Sequence, residues 1–401
     1  MNRHRTLHAV TITAVTAAVI AGCASPGAVG HQGAAPAATT SRRGSSTAKS
    51  TPDRGVSAAG IGRSSAWRIK TGKLSVTSGN GTWTTVAFPA RVTASAVASV
   101  AGTQSTAIFL ATHGSPTGPT LNIYRLPAGS SHWSKLALTA NWPNGVSART
   151  QPESISVQAD SASLVTATAS VSLGSAEAAT RLFISTDSGQ SFTQATPKPT
   201  SDVPFQWWFS AFATSTSGVA VAGPAGNMIY STPDGGQTWT RSILPTLLSA
   251  VYGQPIVTGS TYELPVTSQA SNGDEQFGIM QSADGGTTFS ATGPGVDLNS
   301  PYQSFPASTA TLGTVWWAIA SGGNSSLFRS SDNGATWGST SMTGFPVGNA
   351  ALTLVSGPAP SAPLTATAVA QTTQCVKRQN CVTSTTIVTS NNEGATWTST
   401  Q

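Results

Sequence analysis

The side chains in this 401-residue sequence that could carry acid–base, nucleophilic or metal chemistry are few: five histidines, fourteen carboxylates and three cysteines. His4, His8 and His31 fall near the start, which leaves His113 in a Gly/Pro-rich stretch and His132 in a turn-like one, both expected as solvated loop residues. No Gly-x-Ser-x-Gly elbow and no Gly-x-x-x-x-Gly-Lys phosphate loop occurs, so neither a hydrolase nucleophile nor a nucleotide site is signalled. A two-carboxylate hydrolysis of glycosides needs an acid and a base or nucleophile across a cleft. Glu153, Asp160, Glu177, Asp202, Glu263, Asp274, Glu275 and Asp297 are available, but their spread selects no pair. Tyr262 and Glu263 are neighbours on a probable strand, so their side chains face opposite ways and cannot act together. Arg91, Arg149 and Arg241 could meet an anion, yet no motif selects them. No cofactor or metal is expected.

Aromatic pairs offer a binding chemistry instead. Trp207-Trp208 and Trp316-Trp317 lie in strand-like runs, and Tyr252 and Tyr302 in long connections. One ring of each pair should pack in the core; the other could stack on a sugar or peptide, with core packing the favoured reading. These six residues are the candidate ligand contacts.

The cysteines report the compartment. Arg3 and Arg5 precede an uncharged run, Val10 to Gly22, that ends in Ile20-Ala21-Gly22-Cys23. The run is too short for a comfortable permanent span and reads as a signal peptide over 1–22. The last four residues resemble the lipobox of bacterial lipoproteins; that resemblance implies a diacylated Cys23 as mature N-terminus and an anchor on the extracytoplasmic face of the cell membrane. Residues 23–65 are Ala, Ser, Thr, Gly and Pro with scattered Arg, a tether with a reach of roughly 35 Å. Cys375 and Cys381 remain, and with no His in 133–401 a zinc site would lack two ligands; in an exported chain a disulfide between them is expected.

Net charge is +6, but seven cations opposed by Asp53 stand before residue 66, and the remainder balances 13 cations with 13 anions. A neutral body has no electrostatic footprint for a phosphate backbone, so no nucleic-acid partner is expected. Charged residues are only 8%, too few for helices with solvated faces, while 40 Gly and 24 Pro fit short strands joined by turns.

The elements are counted by an internal repeat. Ser185-Thr-Asp187-Ser-Gly189-Gln-Ser-Phe192 recurs around Asp234, Gly236 and Trp239; around Asp284, Gly286 and Phe289; around Asp332, Gly334 and Trp337; and, with asparagine for aspartate, at Asn392, Gly394 and Trp397. Degenerate copies end at Trp83 and Trp133, giving aromatic anchors spaced by about 50 residues. The carboxylate can accept turn amides and the glycine supply a positive φ. One carboxylate per turn is too few for calcium, so the turns are structural.

These octapeptides resemble the Asp-box, or BNR repeat, of sialidases, sortilin-type receptors, some glycoside hydrolases and photosystem assembly factors. The resemblance implies an all-β domain over 66–401: a β-propeller of four-stranded antiparallel blades, with the box between third and fourth strands. Seven blades are expected, six being the alternative; the first is short unless residues 56–62 complete it. Sialidase activity would need an arginine cluster and a Phe/Tyr-Arg-Ile-Pro signature, of which Trp67-Arg68-Ile69-Lys70 is a partial echo. The expected function is therefore a surface-anchored module binding a glycan, peptide or protein; a sialidase-like hydrolase and an assembly factor for a membrane complex are the alternatives.

Overall fold

The computed structural model describes residues 56–61, 66–77, 83–103, 107–114, 118–142, 146–161, 163–174, 177–195, 206–223, 226–269, 274–298, 306, 315–320, 326–345, 349–354, 366–376 and 379–399. The signal peptide, Cys23 and Tyr302 lie outside them.

Strands follow one another as simple antiparallel meanders in seven sheets, five of them with four strands. These sheets are the blades of a ring. Blade 1 begins at Val56–Ile61, which pairs with Ala66–Lys70 and so completes a blade that residues 66 onward leave one strand short. The ring closes where Val56–Ile61 lies against Ala366–Val376 and Gln379–Ser390 of blade 7. First strands of successive blades meet, as Val97–Thr103 does Ser154–Ala159, so they line the axis. Blade 5 is the most elaborate: Leu248–Tyr252 and Ile256–Thr258 share the partner Thr261–Gln269, and Val296–Leu298 adds to Glu275–Ser282. Trp316–Ala320, Ser326–Ser330 and Gly338–Ser341 are the described strands of blade 6.

The core sits between blades. Gly218–Ala222 of blade 4 is buried along its whole length, with Val219 and Val221 packed toward blade 5 and Ala220 and Ala222 toward blade 3. A strand covered on both faces reads as a continuous apolar run rather than an alternating one. Covered faces leave little surface for charge, which accounts for the low charged content. Each apolar cluster joins two neighbours: Trp67 and Leu74 with Ile108 and Leu110, for example, or Leu182 and Ile184 with Trp207 and Trp239.

The five repeated turns connect third to fourth strands, and their geometry is nearly identical. Thr232 Oγ1 donates to Asp234 Oδ1 (2.9 Å) and accepts from Gly236 N (2.9 Å). Thr238 gives its amide to Asp234 Oδ1 (2.8 Å) and its hydroxyl to Oδ2 (2.6 Å), so both carboxylate oxygens are engaged. The same bonds recur at Asp187, Asp284 and Asp332. At Asn392 the amide oxygen accepts from Ser390 and from Thr396 N, while Nδ2 donates to Thr396 Oγ1 (2.7 Å), so the substitution keeps the turn by reversing one bond. Glycines 189, 236, 286, 334 and 394 all have positive φ, between +76° and +88°. Trp239, Trp337 and Trp397 close the turns by donating Nε1 to the oxygens of Gly236, Gly334 and Gly394; Phe192 and Phe289 hold the same place, just ahead of the fourth strand.

Candidate functional site

In a meander, the second-to-third-strand turn and the connection to the next blade lie at the end opposite the repeated turns. Along the connection that leaves blade 4, between blades 4 and 5, is a cleft of ≈ 480 Å³. Its polar lining is Arg241 from the last strand of blade 4, Asn227 from the turn before Met228–Thr232, and Ser242, Thr246 and Ser249 from the connection. Its apolar lining is Leu244, Pro245, Leu247 and Ala250, with Tyr252 beneath. Among the described residues no aspartate or glutamate lines it.

The connection holds this cleft open by local geometry. Ser242 Oγ donates to Gly286 O and Ile243 exchanges backbone bonds with Thr287 and Phe289, pinning the start of the connection to the blade 5 turn. At its end the ladder runs Leu248 with Gln269 and then Val251 with Thr267, so Ser249 and Ala250 both oppose Ser268: a β-bulge. Ser249 adopts φ +51°, uncommon for a residue with a Cβ. Ile243 and Leu248 flank the connection, 67% and 60% exposed. Bulges and left-handed non-glycine residues concentrate where a structure holds a functional surface.

Arg241 is exposed and, among the described residues, has no ion-pair partner, unlike Arg329, which pairs with Glu393 (3.1 Å) across blades 6 and 7. Its charge reaches Tyr230 and Tyr252, where burial outweighs it and pushes both phenols up, so both hydroxyls stay protonated at neutral pH. The cleft therefore offers one uncompensated cation, a set of neutral hydroxyl and amide groups, and an aliphatic wall.

Most of the aromatic candidates belong to the core, which corrects the idea of open stacking faces. Trp207, Trp316, Trp317 and Tyr252 are at most 3% exposed. As the alternation requires, Trp316 packs toward blade 5 with Ile256 and Ile279, and Trp317 toward blade 7 with Ala368 and Trp397. Trp208 is half-buried, its Nε1 donating to Gly223 O (2.7 Å) close beneath the cleft. Large blade faces absorb large rings, so an aromatic pair on an inner strand signals packing.

His113 and His132 are exposed and distant in sequence from any partner acid. Tyr262 and Glu263 do face opposite ways: Tyr262 packs toward blade 4, with its hydroxyl against Ser217 Oγ (2.9 Å), and Glu263 turns toward Trp316 of blade 6. Glu263 is 2% exposed, with Oε2 buried and lacking a hydrogen-bond partner. Burial pushes its carboxyl up to about 7, and Trp316 and Thr258 only partly oppose that. It is a protonatable group inside a blade interface, away from the cleft lining. Cys375 and Cys381 stand directly opposite on adjacent strands of blade 7; their side chains lie outside the described ones. Among the described residues no three His, Cys, Asp or Glu side chains gather as metal ligands.

Arg241 is one of three arginines in the sequence that no motif distinguishes. What places it in the cleft is the course of the connection between blades 4 and 5, which has no motif.

No protein-family model matches the chain, and no curated protein does. Among solved structures, the GH74 enzyme of Niastella koreensis aligns over 86% of this chain and 53% of its own, at 16% identity and a TM-score of 0.52. This chain thus spans about half the length of that enzyme. YCF48 from Cyanidioschyzon merolae aligns over 83% of this chain and 92% of its own, at 15% identity and a TM-score of 0.41. The Hadza microbial sialidase Hz136 aligns over 83% and 65%, at 14% identity and a TM-score of 0.38. Identities this low speak to fold alone, and a fold hosts many functions. The seven sheets define the class: an all-β, seven-bladed β-propeller.

Proposed function

We propose that this chain is a lipid-anchored, extracytoplasmic β-propeller that binds a glycan, peptide or protein partner without turning it over. The observation that carries the reading is the lining of the blade 4–5 cleft: an arginine, hydroxyls and aliphatic side chains, with no carboxylate among the described residues. Glycoside hydrolysis uses paired carboxylates, and phosphoryl or acyl transfer uses nucleophile–base pairs, none of which stands there. A concave site with a few convergent polar groups on an apolar wall is suited to binding. The surface address rests on the order of basic start, apolar run, Cys23 and tether in the sequence.

The test is to screen the full chain on glycan and peptide arrays and, in parallel, on a panel of glycosides. Saturable array binding with no glycoside product supports the reading. Turnover of any glycoside removes it in favour of a hydrolase.

A further inference from the structure

The cleft's chemistry narrows the partner, resting on the binding reading above. A ligand for Arg241 must bring negative charge, because the guanidinium has no carboxylate of its own within the described residues and cannot lose its proton. Around it, the Asn227 amide and the Tyr252 hydroxyl can donate to an anion, whereas the Ser249 hydroxyl donates to Gln269 Oε1 (3.3 Å). The opposite requirement comes from Leu244 and Leu247, which line the cleft, and Leu248, 60% exposed beside it. Leu244 and Leu247 are half-buried against the blade 4–5 core, and an aliphatic side chain would cover the part of them that the cleft leaves open. The bulge adds a third element. With Ser249 and Ala250 opposed to one residue, part of their backbone is left out of the ladder and can pair with another main chain.

Charge, aliphatic wall and free backbone together describe one occupant. We propose that the blade 4–5 cleft binds a peptide through a carboxylate set beside an aliphatic side chain, the carboxylate on Arg241 and the side chain against Leu244 and Leu247. The carboxylate can be the chain terminus or an Asp or Glu side chain; both present the same planar anion to the guanidinium fork.

The experiment is fluorescence anisotropy of the full chain with three labelled hexapeptides. One ends in Val-Leu with a free C-terminus, one is its C-terminal amide, and one is the amide with Asp beside Leu. We expect binding of at least one carboxylate peptide to exceed that of the neutral amide by roughly ten- to a hundredfold, the span of a charge-assisted bond. Binding by the free terminus alone assigns the chain end, and binding by the Asp peptide assigns an internal acid. Arg241→Gln should remove the preference while leaving the melting temperature unchanged, since Arg241 is exposed; Arg329→Gln, remote from the cleft, should preserve it. Should Arg241→Gln fail to fold, added salt must weaken the wild-type preference in its place. Equal binding of all three peptides, no binding of any, or a preference that survives Arg241→Gln overturns the proposal. A glycan captured on the arrays alongside failure of all three peptides would remove this inference and leave the binding-module reading standing.

Discussion

Gly236 of blade 4, at φ +88°, sits so close to Ile184 of blade 3 that a Cβ there would run into the Ile184 side chain. The pattern repeats around the ring: Gly189 faces Phe109, Gly286 faces Val219, Gly334 faces Ile279 and Gly394 faces Leu327, each from the preceding blade. The repeated turns are therefore interblade contacts as well as bends. Gly236→Val should destabilise by about 3 kcal/mol, combining left-handed strain with overpacking. Asp234→Ala should lose less, about 1 kcal/mol, because the amides it releases are partly solvated. Thermal unfolding of both variants, with and without chelator, checks this ordering. A chelator should not move the wild-type transition, since the Asp234 oxygens already accept hydrogen bonds from the turn.

Stability should peak in mild acid. Glu263 has its carboxyl raised to about 7 by burial, so its contribution is full below the ordinary value of 4.5 and is lost as pH rises from there to about 7. At about 1.4 kcal/mol per unit, the loss amounts to a few kcal/mol. The turn carboxylates act oppositely. The Thr288 hydroxyl and amide, aided by Ser282, hold Asp284 at about 2, and Thr336 does the same for Asp332, so their contribution is present above 3.8 and is lost as pH falls toward 2. Denaturant midpoints measured from pH 3 to 8 should therefore decline on both sides of roughly 4.5. Glu263→Gln should flatten the neutral side alone; an unchanged neutral limb in that variant contradicts the assignment.

Cys375 and Cys381 are cross-strand partners in the register of blade 7. Directly opposed residues have Cα atoms roughly 4.5–5.5 Å apart, within the range a disulfide spans. Exported protein should therefore show both thiols protected from alkylation until it is reduced. Recovery of both as alkylated cysteines without reductant would rule the bridge out.

Cys23→Ser should abolish acyl labelling and leave the chain either uncleaved or released to the medium. Labelling that persists in the variant would place the lipid elsewhere.

The fold was legible because its signals are local and repeated. A turn that needs Ser or Thr at 232, Asp at 234 and Gly at 236 writes itself into the sequence each time it occurs, and Asn392 remains readable because its amide serves the same positions. The strand Val56–Ile61 was less so, since its composition continues that of the tether and its pairing with Ala66–Lys70 is what marks it. The cleft was illegible for a different reason. Arg241, Ser249 and Tyr252 come together through a connection and a bulge, and nothing in their spacing distinguishes them from other loop residues. The tryptophan pairs follow the favoured reading of the sequence: blade faces consume large rings, and Trp316 and Trp317 pack against two different neighbours.

The central claim, binding without turnover at the blade 4–5 cleft, is tested most directly by recovering the ligand. A peptide or glycan selected on the arrays is incubated with the full chain to saturation, and its mass is measured after prolonged contact. The ligand should return with its mass unchanged, and its affinity should fall roughly tenfold or more in Arg241→Gln. A shortened ligand, or an affinity indifferent to Arg241, would contradict it.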